Sequence, residues 1–194
     1  MTATTENPRF RQGAGRLCLD YLRTLRRRGM PDATEELTDP AALAAWVRQC
    51  GPCGSAAGAA DAGQLAEARR LREAVHTLVL AGRSPQGPGS CPAPDRELVN
   101  RWAALPVPTP GLDPAGRLHW HADDPVAATL ALLARDSLDL VSSAAIGRVR
   151  DCACPECSAL FSDTSRPGNR RWCSMDECGN RAKKKALRSR AAAS

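Results

Sequence analysis

The residues most suited to chemistry are cysteines. The chain has nine of them, and five (Cys152, Cys154, Cys157, Cys173 and Cys178) fall within 27 residues near its C-terminal end. Two pairs have the same spacing. Four residues separate Cys152 from Cys157 and Cys173 from Cys178, with 15 residues between the pairs. Four thiolates satisfy a closed tetrahedral structural zinc site. In a reducing compartment a dense cluster reads as metal ligands rather than disulfides, and the odd total agrees. A segment of this size has too little core to fold unaided, so Zn2+ is the cofactor expected to hold it. Cys154 and Cys157 form a rival C-x-x-C pair, so spacing alone leaves Cys152 or Cys154 as the first ligand.

Charge gathers in the same place. The chain has 27 Lys and Arg against 21 Asp and Glu, a formal net charge of +6. Residues 148–194 hold 11 basic and five acidic side chains, so the whole excess lies there and residues 1–147 balance. Such asymmetry points to a polyanionic partner. A zinc ion on four thiolates carries a net −2, but the basic residues run on past the metal. The candidate nucleic-acid contacts are Arg170, Arg171, Asn180, Arg181, Lys183, Lys184, Lys185, Arg188 and Arg190. On a helix Arg181, Lys184 or Lys185, and Arg188 share a face. Ser174 followed by Glu177 is a capping box, which places Cys173 just before a helix and Cys178 in its first turns. With a short hairpin around Leu160 and Phe161, this describes a treble-clef-like finger, and Trp172 is expected in its core.

Other motifs carry less. Cys50-Gly51-Pro52-Cys53 has the letters of a thioredoxin-type redox pair. It follows an expected helix, however, where the dipole opposes a thiolate. His119 and His121 share one face of an expected strand with no third ligand nearby, and read as an exposed polar face. The sequence has no nucleophile–base arrangement and no phosphate-binding glycine loop, so an enzyme is not expected.

The elements that position these residues are mainly helical. Apolar residues at helical spacing predict helices over 14–28, 39–51, 64–81, 95–105 and 124–141, with Gly82 placed to end the third. Alternation in 116–121 predicts a short strand. The fold class is therefore mainly α with a small β element (α+β). It divides into a helix-rich domain over 1–147 and a zinc finger with a basic helix over 148–194. No apolar stretch is long enough for a membrane span, and the polar first dozen residues hold no signal-like segment, so a cytoplasmic protein with no membrane partner is expected.

The segment Cys152–Arg190, through DTSR, RRWCSM and CGNRAK, resembles the CGNR zinc finger of bacterial proteins. The N-terminal part resembles the ABATE domain that usually precedes it, in proteins regarded as stress-induced transcription regulators. The matching pieces are LCLDYLRT, DPAALAAW, GRLHW and ALLARDSLDL. The resemblance implies Cys152, Cys157, Cys173 and Cys178 as ligands, with Cys154 at a variable position. One departure is Arg23, which stands where that family generally has Asn before Thr24. The implied function is a zinc-dependent DNA-binding transcription regulator, with the helical domain as sensor or assembly module. The alternative is a finger that binds RNA or the transcription machinery. A single such helix makes few contacts, so useful specificity is expected to need a dimer, for which a homodimer is one candidate, or a larger transcription complex.

Overall fold

The computed structural model describes residues 10–54 and 58–191, with the side chains of 186 and 189–191 outside the described part. The first helix, α1 (Leu17–Leu22), is much shorter than the periodicity of 14–28 suggests. A local turn ends it. Thr24 turns its hydroxyl onto the Tyr21 carbonyl (2.8 Å), and the chain then forms a two-stranded ribbon, β1 (Leu25–Arg26) against β2 (Thr34–Glu35).

Helix α2 (Pro40–Cys50) starts as its residues dictate. Asp39 accepts the Ala42 amide at 2.7 Å and Pro40 fills the first helical position. Helix α3 (Ala62–Arg83) opens with a full capping box between Asp61 and Gln64. It packs against both α4 (Ala93–Ala103) and α5 (Pro125–Ser142), which also touch each other. Leu71, Val75, Leu78, Leu130 and Leu133 are buried where these three helices meet. Each such side chain contributes about 1.5–3 kcal/mol through burial. Tyr21 ties α1 in: its hydroxyl donates to the Ala68 carbonyl at 2.7 Å, and its ring meets Trp46 edge-on at 4.7 Å between centroids. From α3 the buried Arg72 reaches back to Glu35 (2.5 Å) and Thr24 (3.0 Å), pinning the ribbon.

The β element is larger than the strand over 116–121. Residues Thr109–Leu112 (β3) pair antiparallel with Leu118–His121 (β4), Leu112 opposite Leu118. Asp113 holds the turn by accepting the Ala115 and Arg117 amides, both at 2.9 Å. The sequence of β3, Thr-Pro-Gly-Leu, hides it: Pro and Gly are poor strand formers, and its side chains are largely exposed.

The last quarter begins with a third antiparallel pair, β5 (Val149–Asp151) and β6 (Leu160–Ser162), and ends in helix α6 (Asn180–Ala191). This segment does not stand off from the helical body. Phe161 is fully buried in the same core, and the Ser162 amide donates to the Ala14 carbonyl at 2.7 Å. Gly15 makes that approach possible. Its φ is +88°, and a Cβ there would stand 3.2 Å from both Ser162 Cβ and the Ser162 carbonyl oxygen. Among the described residues no helix is long and apolar enough to cross a membrane.

Candidate metal centre and nucleic-acid interface

Two loops and a helix start bring four sulfurs together. Cys152 follows β5, and Cys157 closes the knuckle with its amide on the Cys154 carbonyl at 2.9 Å. Cys173 precedes the helical start, where Ser174 accepts the Glu177 amide at 3.4 Å. Over Met175–Gly179 the chain makes one wide π turn, with the Gly179 amide on the Ser174 carbonyl (3.0 Å), before α6 continues. That turn carries Cys178 inward. The expected capping box is completed on one side only, because the Glu177 carboxylate pairs with Arg11 at 2.6 Å.

The sulfurs of Cys152, Cys157, Cys173 and Cys178 lie within 4.8 Å of one another. Cys157 and Cys173 are 3.6 Å apart, and Cys173 and Cys178 are 3.7 Å apart. A tetrahedron with Zn–S bonds of about 2.3 Å has edges of about 3.8 Å. A disulfide would bring sulfurs to about 2 Å. The geometry therefore fits a metal ion and not a bridge. Electrostatics fit as well. Hydrogen bonds from Cys157 and Cys173 hold the Cys152 thiol far below its ordinary value. Burial and the charges on Cys157 and Cys152 push Cys178 up to about 12. Four thiolates cannot coexist there unaided, and a divalent cation supplies the missing charge. Cys154 is buried beside the cluster but is not one of the four, which resolves the choice left open by the spacing.

The loop between the second and third ligands is built on Asp163, which reading the sequence for ligands overlooks. Its buried carboxylate accepts from the Ser165 hydroxyl (2.6 Å), the Ser165 amide (3.0 Å) and the Arg170 amide (3.0 Å). The only sequence signal was the DTSR string that begins with it.

The candidate nucleic-acid residues divide. Arg170 is turned inward. Its guanidinium donates to the carbonyls of Trp172 (2.9 Å), Gly13 (3.0 Å) and Cys173 (2.6 Å) and lies 4.6 Å over the Phe161 ring. It is a bracket between finger and body, with Nε and Nη2 turned to backbone carbonyls. Arg171 is exposed beside Trp172, its guanidinium 5.1 Å from the ring centroid. Asn180 starts α6 with its amide on the Asp176 carbonyl (3.1 Å). Lys183, Lys184, Lys185 and Arg188 are all exposed along α6. Arg181, Lys184, Lys185 and Arg188 line one cleft of about 700 Å³ beside Trp172, so they do share a face. Across that cleft stand Glu156, 3.3 Å from Arg181, and Asp176 and Glu177. The side chain of Arg190 lies outside the described residues.

Residues 15–144, more than half of the chain, match the family described as "Putative stress-induced transcription regulator", ABATE. The chain belongs to the ABATE family. Residues 148–191 match the CGNR zinc finger, so the sulfur cluster of this ABATE chain is a zinc-finger site and its cofactor is Zn2+. Neither matched family is an enzyme family. No curated protein matches the chain.

The remaining candidates lie apart from this centre. Cys50 is the last residue of α2, and burial raises its thiol to about 11; burial raises Cys53 too. A redox nucleophile needs the opposite shift. His119 and His121 are exposed on β4, and among the described residues they join no group of three metal-capable side chains.

Proposed function

We propose that the chain is a cytoplasmic, zinc-dependent, DNA-binding transcription regulator. Cys152, Cys157, Cys173 and Cys178 hold the ion. Lys183, Lys184, Lys185, Arg188 and Arg190 neutralise phosphates, with Arg171 at the flank, and Asn180 and Arg181 face base edges at the helix start. The observation that carries this reading is the exposed basic face of α6, anchored by Cys178 in the π turn that leads into it. The helical body over 1–147 serves as sensor or assembly module for the finger over 148–194. Because one such helix makes few contacts, the functional unit is a homodimer or a larger assembly.

The test is the salt dependence of duplex binding by zinc-loaded protein. If about four phosphates are neutralised, log K falls against log salt with a slope of about −3.6, or about 150-fold between 50 and 200 mM. A slope near zero contradicts it. In a second reading the finger meets RNA or transcription-machinery proteins, and the acidic wall of the α6 cleft (Glu156, Asp176 and Glu177) suits cationic groups of a protein partner. Equal affinity for RNA and DNA, or binding only with a protein partner, selects that reading.

A further inference from the structure

A second cavity lies in the seam between the body and the finger. It is small, about 90 Å³, and its wall is formed by the α1–β1 connection, α3 and the zinc knuckle. Arg11, Arg23, Arg26, Arg27, Arg28 and Arg181 all line it, against one carboxylate, Glu156. Arg23 is the decisive residue. Its side chain is 3% exposed, and its Nε is buried with no hydrogen-bond partner among the described residues, although Nη1 donates to the Gln12 carbonyl at 3.0 Å and lies 3.5 Å from the Asp20 carboxylate. A buried, unpaired N–H on a cation is costly unless something accepts from it. Arg27 holds a φ of +53°, a conformation that non-glycine residues rarely adopt, in the turn that sets Arg26 and Arg28 at the cavity. His76, on the same wall, stays neutral near pH 7: burial, then the neighbouring Arg28 charge, lowers its pKa to about 4, with Glu73 opposing.

We propose that this cavity binds a small tetrahedral oxyanion of the class of inorganic phosphate, with Arg23, Arg26 and Arg28 as its main donors. The size suits one such ion, and six guanidinium groups stand against a single carboxylate in the lining. Arg26 and Arg28 are paired with Glu36 (3.2 Å) and Glu73, but a guanidinium carries five N–H groups and one carboxylate engages at most two. Cys157 and Cys178 also line the cavity. The competing role for the arginines is therefore to balance the net negative charge of the zinc–thiolate group, and the test must separate the two. Arg181 and Glu156 line both this cavity and the α6 cleft, so an anion here and a polyanion there draw on the same guanidinium. Binding in the cavity assumes nothing about DNA, so the two readings fail separately.

The experiment is a phosphate titration of zinc-loaded full-length protein at constant ionic strength, followed by calorimetry and by the histidine NMR resonances. Saturable binding is expected, with the His76 resonances moving along the same isotherm and those of His119 and His121, exposed on the β3–β4 hairpin, unmoved. Arg23→Gln should weaken binding about 10- to 100-fold with zinc content unchanged. Arg26→Gln, at a more exposed position that tolerates change, should weaken it in the same direction. Phenyl phosphate separates the sources. If it binds like phosphate, the ion is the headgroup of a larger ligand; if it is excluded, the ion is free phosphate. Absence of saturable binding, undiminished binding in both variants, or zinc loss as the sole effect of Arg23→Gln would overturn the proposal.

Discussion

At the scale of residues, the zinc centre separates five nearby cysteines by function. The matched spacing of Cys152/Cys157 and Cys173/Cys178 was legible because a tetrahedral site needs two pairs brought from two loops. Spacing alone could not exclude Cys154, since both first-pair spacings are chemically sound; the resemblance set it aside and the coordinates agree. Cys154→Ser is expected to retain one zinc per chain, whereas Cys152→Ser should lose zinc to a competing chelator with an affinity drop of about 100-fold or more. Metal analysis after competition checks both. Arg170 shows the limit of composition. In sequence it is one more cation in a basic run, yet its Nε and Nη2 are turned to three backbone carbonyls and it lies over Phe161. The arginine-lined cavity was not legible either, because Arg11, Arg23, His76 and Arg181 come from distant parts of the chain and meet only after folding.

At the scale of elements, caps were readable and two helix ends were not. Asp39–Pro40 and Asp124–Pro125 open α2 and α5 as their chemistry demands. In contrast, α1 stops early because Thr24 and the β1–β2 ribbon take up backbone groups that would have continued the helix. Gly82 was expected to end α3, but the helix runs through it to Arg83. The glycine is needed for close packing. A Cβ there would stand 3.1 Å from Val141 Cβ and Cγ1 and 3.4 Å from Ile146 Cδ1. Helix propensity alone makes Gly82→Ala stabilising by about 1 kcal/mol. Overpacking costs about 1–3 kcal/mol and decides the sign. The expected outcome is a thermal midpoint lower by about 2–6 °C, measured with zinc saturating.

At the scale of the whole molecule, finger and body share one core. Phe161 and Leu160 are buried with residues of the helical body, Ser162 bonds to Ala14, and Arg83 of α3 pairs with Asp151 of β5 at 2.5 Å. Zinc removal should therefore reach beyond the finger. Chelation is expected to lower the midpoint of the entire unfolding transition and to expose Phe161. A helical body that melts at an unchanged temperature after chelation would show that the shared core contributes little. The charge division has the same logic in reverse: a balanced body and a basic finger leave the excess positive charge at the end built on metal.

The central claim is that zinc presents α6 to DNA. Its most direct test is selection of genomic DNA fragments by purified wild-type protein in parallel with Cys178→Ser, followed by sequencing of what each retains. The account predicts a shared sequence motif recovered by the wild type alone. No retention by the wild type, or equal retention by the variant, would contradict it.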